Sequence, residues 1–132
     1  MVVEVDVVVE DVDTVVDEDD DMVVVGTVEE DVLVGGNCGV YEGTMVKRRA
    51  VLGSGTILNR SIPVYDLVRD DIYTATETEP LIIPEEAIVV PGSRAITHAS
   101  GVKHGLSLQA AVIVKYRDSK TNARVQLEDL LR

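Results

Sequence analysis

Aliphatic residues recur at every sixth position through the middle of the chain, as Val28, Val34, Val40, Val46, Leu52 and Leu58. Four residues after each stands a small or β-branched side chain, in turn Val32, Cys38, Thr44, Ala50, Thr56 and Ile62. An α-helix repeats at about 3.6 residues and a coiled coil at about 3.5, so neither produces this spacing. Simple strand alternation gives no reason for a small residue at the fourth place. Two inward positions in six residues suit a coil in which each hexad forms one short flat side and three sides complete a turn. Met22 with Gly26 opens the series, and Ile83 with Ala87 and Val89 with Ser93 resume it after an interruption, for about three turns in all. The predicted fold is all-β, a left-handed parallel β-helix of hexapeptide repeats.

This pattern divides the chain into an acidic leader at residues 1–21, the β-helix at 22–95 with an excursion loop at 63–82, and a capping tail at 96–132. Stacked coils leave unpaired strand edges at both ends, which a terminal segment or a partner subunit must cover. The tail can do so: Ala111 to Arg117 reads as a strand, Asp118 to Asn122 as a turn, and Val125 to Arg132, with Leu127, Leu130 and Leu131, as a short helix. In the leader, Val3, Val5, Val7 and Val9 enclose Glu4 and Asp6, a strand-like alternation. The cluster Asp17, Glu18, Asp19, Asp20 and Asp21 lacks the spaced ligands and turn glycine of a calcium loop and reads as a solvated turn.

Composition supports the coil and narrows the partners. The chain has no Phe and no Trp, and a core of Val, Ile, Leu, Ala and Thr fits a narrow interior of short strands. The net charge is −12, yet the first basic residue is Lys47 and the balance beyond it is slightly positive. This acidity argues against nucleic acid as a partner. No apolar run approaches the roughly 18 residues of a membrane span, and no basic stretch leads into an apolar one at the N-terminus, so a cytoplasmic protein without a membrane partner is expected. Cys38 is the only cysteine and falls on an inward position, which suits a packed thiol. His98 and His104 follow the last hexad in a glycine-containing stretch read as flexible. A zinc enzyme on this scaffold would need three histidine ligands, so no metal site is expected.

The segments GGNCGVYEGTMVKRRAVLGSGTILN, and AVIVKYRDSKT followed by LEDLLR, resemble the tetrahydrodipicolinate N-succinyltransferases of lysine biosynthesis. PVYDLVRDDIY, IIPEEAIVVPGSRAI and the tail stand in the order found in that family. The likeness covers Val28 to Arg132, and the excursion looks like the family's loop out of the helix. It implies the C-terminal part of such an enzyme, because the family carries a helical domain and further coils, including an aspartate near the site, upstream of anything matched here. It also implies a homotrimer with active sites between subunits. The reaction would move a succinyl group from succinyl-CoA, a co-substrate rather than a bound cofactor, to the amino group of a small cyclic dicarboxylate.

Aminolysis of a thioester needs a base for the amine proton and donors for the developing oxyanion. Glu42 resembles the glutamate of the family's VEG segment and is the candidate acid or base; Gly39 stands where many members carry another glutamate. Gly53, Ser54 and Gly55 form a turn whose amides could meet CoA phosphates, with Lys115 from the tail strand as a cation, although small residues at a tight corner serve the coil equally. Lys47 and Arg48, followed by Arg49, could bind phosphate or a substrate carboxylate, unless they form a solvated run. Arg60 could fork onto a carboxylate, with Arg69 and Arg94 as alternatives. Two other functions suit the repeat: another hexapeptide-repeat acetyltransferase, in which a histidine would act as base, and a non-catalytic trimeric module lacking the upstream part of the site.

Overall fold

The computed structural model of the chain describes the strands at 5–9 and 15–17 and residues 22–118. Two strands come from the leader, β1 (Val5–Val9) and β2 (Val15–Asp17). The repeat region then yields β3 (Met22–Val24), β4 (Thr27–Val28), β5 (Val32–Gly35), β6 (Gly39–Val40), β7 (Thr44–Val46), β8 (Val51–Leu52) and β9 (Ile57–Leu58). These strands are short because the chain turns a corner after each hexad. Parallel pairing sets Leu33 beside Val51, Val28 beside Val46 and Val40 beside Leu58, in each case 18 residues apart. One turn is therefore three hexads, as the repeat predicts, and successive strands go in rotation to three parallel stacks.

The inward positions are those read from the repeat. Val28, Val34, Val40, Val46, Leu52 and Leu58 are buried, as are Val32, Cys38, Thr44, Ala50, Thr56 and Ile62. Stacking places each of these on its counterpart one turn away, so aliphatic side chains meet like side chains in a single column of core. A second, smaller cluster lies apart from that column, with Val51 and Ile88 fully buried among Leu33, Val90, Val112 and Val114. Those residues sit between the hexad positions, so a six-residue count alone does not predict their burial.

After β9 the chain leaves the coil. The excursion contains β10 (Val64–Asp66) and β11 (Asp71–Tyr73), an antiparallel hairpin rather than an unstructured loop. The chain re-enters at β12 (Leu81–Ile83), which pairs with β7 in parallel, Ile83 beside Val46. The next hexad enters β13 (Ala87–Ala95), where Ile88 lies beside Val51 and Val89 beside Leu52. Both return strands stand 37 residues from their partners instead of 18, so the coil resumes in register around the insertion.

β13 corrects the expectation at the end of the repeat. Ser93 is exposed, because β13 runs straight on past the corner instead of turning. It forms a long hairpin with β14 (Ser107–Tyr116), pairing from Ala87 with Tyr116 to Ala95 with Ser107. The stretch between them, expected to be flexible, holds the short helix α1 (Ala99–Lys103), capped by His98 Nδ1 accepting from the Ser100 amide. The strand expected at Ala111 to Arg117 is thus present as the second half of β14. The turn and helix expected beyond it lie outside the described residues, except for Asp118.

Edge strands close parts of the coil. β1 pairs antiparallel with β5 and β2 with β3, so the leader covers two of the three stacks at the first turn. β14 covers the last turn of the same stack that β1 covers at the first, and it also pairs in parallel with β10, giving a seven-stranded sheet ordered β1-β5-β8-β13-β14-β10-β11. Among the described residues, β4, β12 and β9 each end a sheet with a strand on one side only. No helix among them is long and apolar enough to cross a membrane.

Leu52 is fully buried in the middle turn, with neighbouring turns on both sides. Leu52→Ala should lower unfolding stability by about 2–5 kcal/mol, measured by urea titration, because stacked turns leave little freedom to collapse onto the cavity.

Candidate functional site

Three corners separate the three stacks, and the expected site residues are distributed among all of them. Glu42 lies on the corner between β6 and β7, and Arg60, 18 residues later, occupies the equivalent corner one turn on. Both line an open depression of about 770 Å³ with Val25, Tyr41, Gly43, Asn59 and Ser61. A second depression continues from it along Glu42 and Gly43 to Met45 and Pro80. Gly43 makes this arrangement possible in two ways. Its φ of +82° is left-handed, and a Cβ there would lie 2.5 Å from Arg60 Cγ. The Arg60 side chain thus lies flat over the glycine, and its Nη2 donates to the Thr76 carbonyl of the excursion.

The next corner, between β7 and β8, carries Lys47, Arg48 and Arg49. The same corner of the preceding turn carries Glu29, Glu30 and Asp31, and that of the following turn Pro84, Glu85 and Glu86. The basic triplet is therefore sandwiched between two acidic ones. Lys47 Nζ stands 3.8 Å from Glu29, Arg48 Nε 3.4 Å from Glu85, and Arg49 Nε 3.8 Å from Glu86. The Arg48 amide also donates to Glu29 at 2.9 Å. Asp31, Arg49 and Glu86 share the left-handed turn position, with φ of 58°, 63° and 66°. A ligand anion at Lys47 and Arg48 would compete with these carboxylates.

Gly53, Ser54 and Gly55 form the third corner, between β8 and β9. The Gly53 amide donates to Val89 O and the Gly55 amide to Gly36 O, so both act within the coil. Gly53 O accepts from Thr56 Oγ1 at 2.7 Å and from Cys38 Sγ at 3.1 Å. Burial pushes the Cys38 thiol up to about 11, against lowering by nearby backbone groups, which makes it a packed thiol and a poor nucleophile. Lys115 is exposed on β14 opposite Ile88. The fold thus brings Glu42 and Arg60 together and keeps Lys47 with Arg48, the Gly53 corner and Lys115 apart from them within one chain.

A polar cluster that the repeat does not announce joins the excursion to β14. Asp66, 2% exposed, accepts through Oδ2 from the hydroxyls of Tyr73, at 2.8 Å, and Tyr116. Its Oδ1 accepts from the Val68 and Arg69 amides, each at 3.0 Å. The Arg69 guanidinium carbon sits 4.1 Å from the centre of the Tyr116 ring. Burial pushes the Asp66 carboxyl up, but the bonds from Tyr116, the Arg69 amide, Tyr73 and the Val68 amide outweigh it and hold it below its ordinary value. Burial and the same carboxylate raise both tyrosines, so all three keep their neutral-pH forms. Arg69, an alternative candidate for a substrate carboxylate, thus stacks on the Tyr116 ring of this latch. The sequence signal for the latch is weak, since its members stand 7 and 50 residues apart.

Several named proteins resemble this chain in sequence. Protein TabB of Pseudomonas amygdali pv. tabaci is 35% identical over 105 residues, covering 80% of this chain and 34% of TabB. The 2,3,4,5-tetrahydropyridine-2,6-dicarboxylate N-succinyltransferases of Nitrobacter winogradskyi and Rhodopseudomonas palustris are 33% and 31% identical over the same length, covering 80% of this chain and 35% of each relative. No protein-family model matches. The chain is a homologue of the tetrahydrodipicolinate N-succinyltransferases, as the resemblance of its segments implied, and it spans about a third of the length of the curated relatives it matches.

Two pH effects follow from the buried groups. Asp66 is lowered in the folded state, so its contribution is present above the ordinary carboxyl range and lost as pH falls through it. Asp66→Asn should cost about 1–3 kcal/mol at neutral pH and flatten the acid limb of the stability profile, read by denaturant titration at each pH. Cys38 stays protonated in the folded state until about 11 while the unfolded thiol ionises near 9.0, so stability should fall across that interval as the unfolded chain loses the proton first. Cys38→Ala should remove the part of the decline that begins below pH 10, where tyrosine does not yet contribute.

Proposed function

We propose that the chain is the left-handed parallel β-helix portion of a CoA-dependent N-acyltransferase, which transfers a succinyl group from succinyl-CoA to the amino group of a small dicarboxylate. The observation that carries this reading is the convergence of Glu42 and Arg60 on one depression. A carboxylate and a guanidinium side by side match an acceptor that presents an amine to be deprotonated and a carboxylate to be held. The N-succinyltransferase relatives supply the reaction class.

In this reading Arg60, steadied by Gly43 and the Thr76 carbonyl, forks onto an acceptor carboxylate and orients its amine. Glu42 takes the amine proton as nitrogen attacks the thioester carbonyl. The tetrahedral intermediate collapses by breaking the C–S bond, and the proton passes to the departing CoA sulfur. No covalent bond to the protein is needed. Lys115, the corner at Gly53, Ser54 and Gly55, and the run at Lys47 and Arg48 are the groups available for CoA phosphates and a second acceptor carboxylate. Because they lie on other faces than Glu42, a site that uses them is assembled between copies, which favours a homotrimer.

Free thiol released from succinyl-CoA in the presence of the cyclic acceptor tests the reading. Release that requires both substrates is expected, with Glu42→Gln lowering kcat by about 10²–10⁴-fold and Arg60→Ala raising the KM of the acceptor. Full activity in Glu42→Gln would remove Glu42 from the mechanism. Absence of release with both substrates would favour a non-catalytic module, and release from acetyl-CoA with a hydroxyl acceptor would favour another acetyltransferase.

A further inference from the structure

Nine large apolar side chains are well exposed among the described residues, and six of them form two groups. Leu67, Val68 and Ile72 lie on the excursion hairpin, with Leu67 67% exposed. Val102, Leu106 and Leu108 lie at the tip of the arm made by β13, α1 and β14, with Val102 64% exposed. The arm tip is built rather than loose. Gly101 is buried against Ile96, where a Cβ would lie 2.1 Å from Ile96 Cγ2, and the Leu106 amide donates to Gly101 O at 2.9 Å. That packing still leaves three large apolar side chains facing outward, more than a capped hairpin requires.

The two groups differ in charge. Between Glu86 and Asp118 the sequence contains no Asp or Glu, and the arm towards its tip carries Arg94 and Lys103, while Lys115 and Arg117 stand at the coil end of β14. The excursion carries exposed Asp70, Asp71, Glu77 and Glu79 against Arg69 alone. A basic apolar surface and an acidic apolar surface on one chain are complementary to each other. They cannot meet within that chain. β10 runs parallel to β14, the Leu67 amide donates to Ile113 O, and Arg69 lies on Tyr116, so the excursion turn sits at the coil end of β14. The arm tip lies at its other end, beyond Ser107, roughly 30 Å away along an extended strand.

We propose that the basic arm tip of one copy docks on the acidic excursion of a neighbouring copy. Two different patches then meet at every contact, and such a head-to-tail contact closes into a ring when its rotation allows. Both patches arise at the last turns of the coil, so copies standing side by side in the same orientation bring them to one level. This surface rests on the homotrimer reading above, which does not itself say which faces meet. The proposal commits to a second copy because the chain supplies both halves of the match.

Sedimentation equilibrium on the full chain tests it, using the arm variant Val102→Ser/Leu106→Ser and the excursion variant Leu67→Ser/Val68→Ser. All four positions are exposed, and an unchanged circular dichroism spectrum with cooperative melting verifies the fold. Each variant alone should associate at least about tenfold more weakly than wild type and sediment as a single chain where wild type assembles. Mixed in equal amounts, the two leave one arm and one excursion intact and should form a two-chain species that goes no further. Wild-type assembly in either variant alone, or a mixture that stays single-chain, overturns the proposed contact while leaving a trimer through other faces. A wild-type chain that never assembles overturns both the contact and the homotrimer.

Discussion

Everything in this molecule depends on one backbone constraint, the parallel pairing of each hexad with its counterpart one turn away, 18 residues apart through the uninterrupted middle of the coil. A short strand has too few hydrogen bonds to stand alone, and it gains stability only by being held between copies of itself. The pairing also decides the chemistry of the core. Because like positions stack, a column must be built from side chains that pack on their own kind, which favours Val, Leu and Ile and leaves no room for a large ring. The absence of Phe and Trp is the compositional trace of that geometry.

The same stacking governs the corners, where it acts on charge. A triplet of cations would repel a like triplet above or below it. Here Lys47, Arg48 and Arg49 meet Glu29, Glu85 and Glu86 instead. Each pair is partly exposed and individually weak, on the order of 0–1 kcal/mol. Their collective effect is on register, since sliding one turn past another would bring unlike corner triplets and apolar columns out of step together. Read along the chain, the basic run looks like a binding patch; read across the turns, it also lies between acidic layers that pair with it.

The hexads were legible because their period is short and unbroken from Val28 to Ile62, and each predicted inward residue there is buried. Legibility ended where the period did. Ser93 falls in phase with the hexads, yet β13 continues past the corner because β14 pairs with it along its whole length, a partner no local count reveals. The hairpin within the excursion and the Asp66 latch were hidden for the same reason, as they rest on contacts across 7 and 50 residues. At the site, a family pattern singled out Glu42 and charge singled out Arg60. Their meeting on one corner follows from the 18-residue turn that separates them, a consequence already contained in the repeat.

The excursion leaves the coil next to Arg60 and returns with Ile83 beside Val46, as though the turn had not been interrupted. The coil is therefore indifferent to how much chain is spliced in at that corner, provided both ends come back to neighbouring strands. Such a corner is a graft point. Segments of different length and composition can be exchanged there during evolution or by design, changing what overhangs the depression at Glu42 while the stacked turns that hold Glu42 in place remain the same.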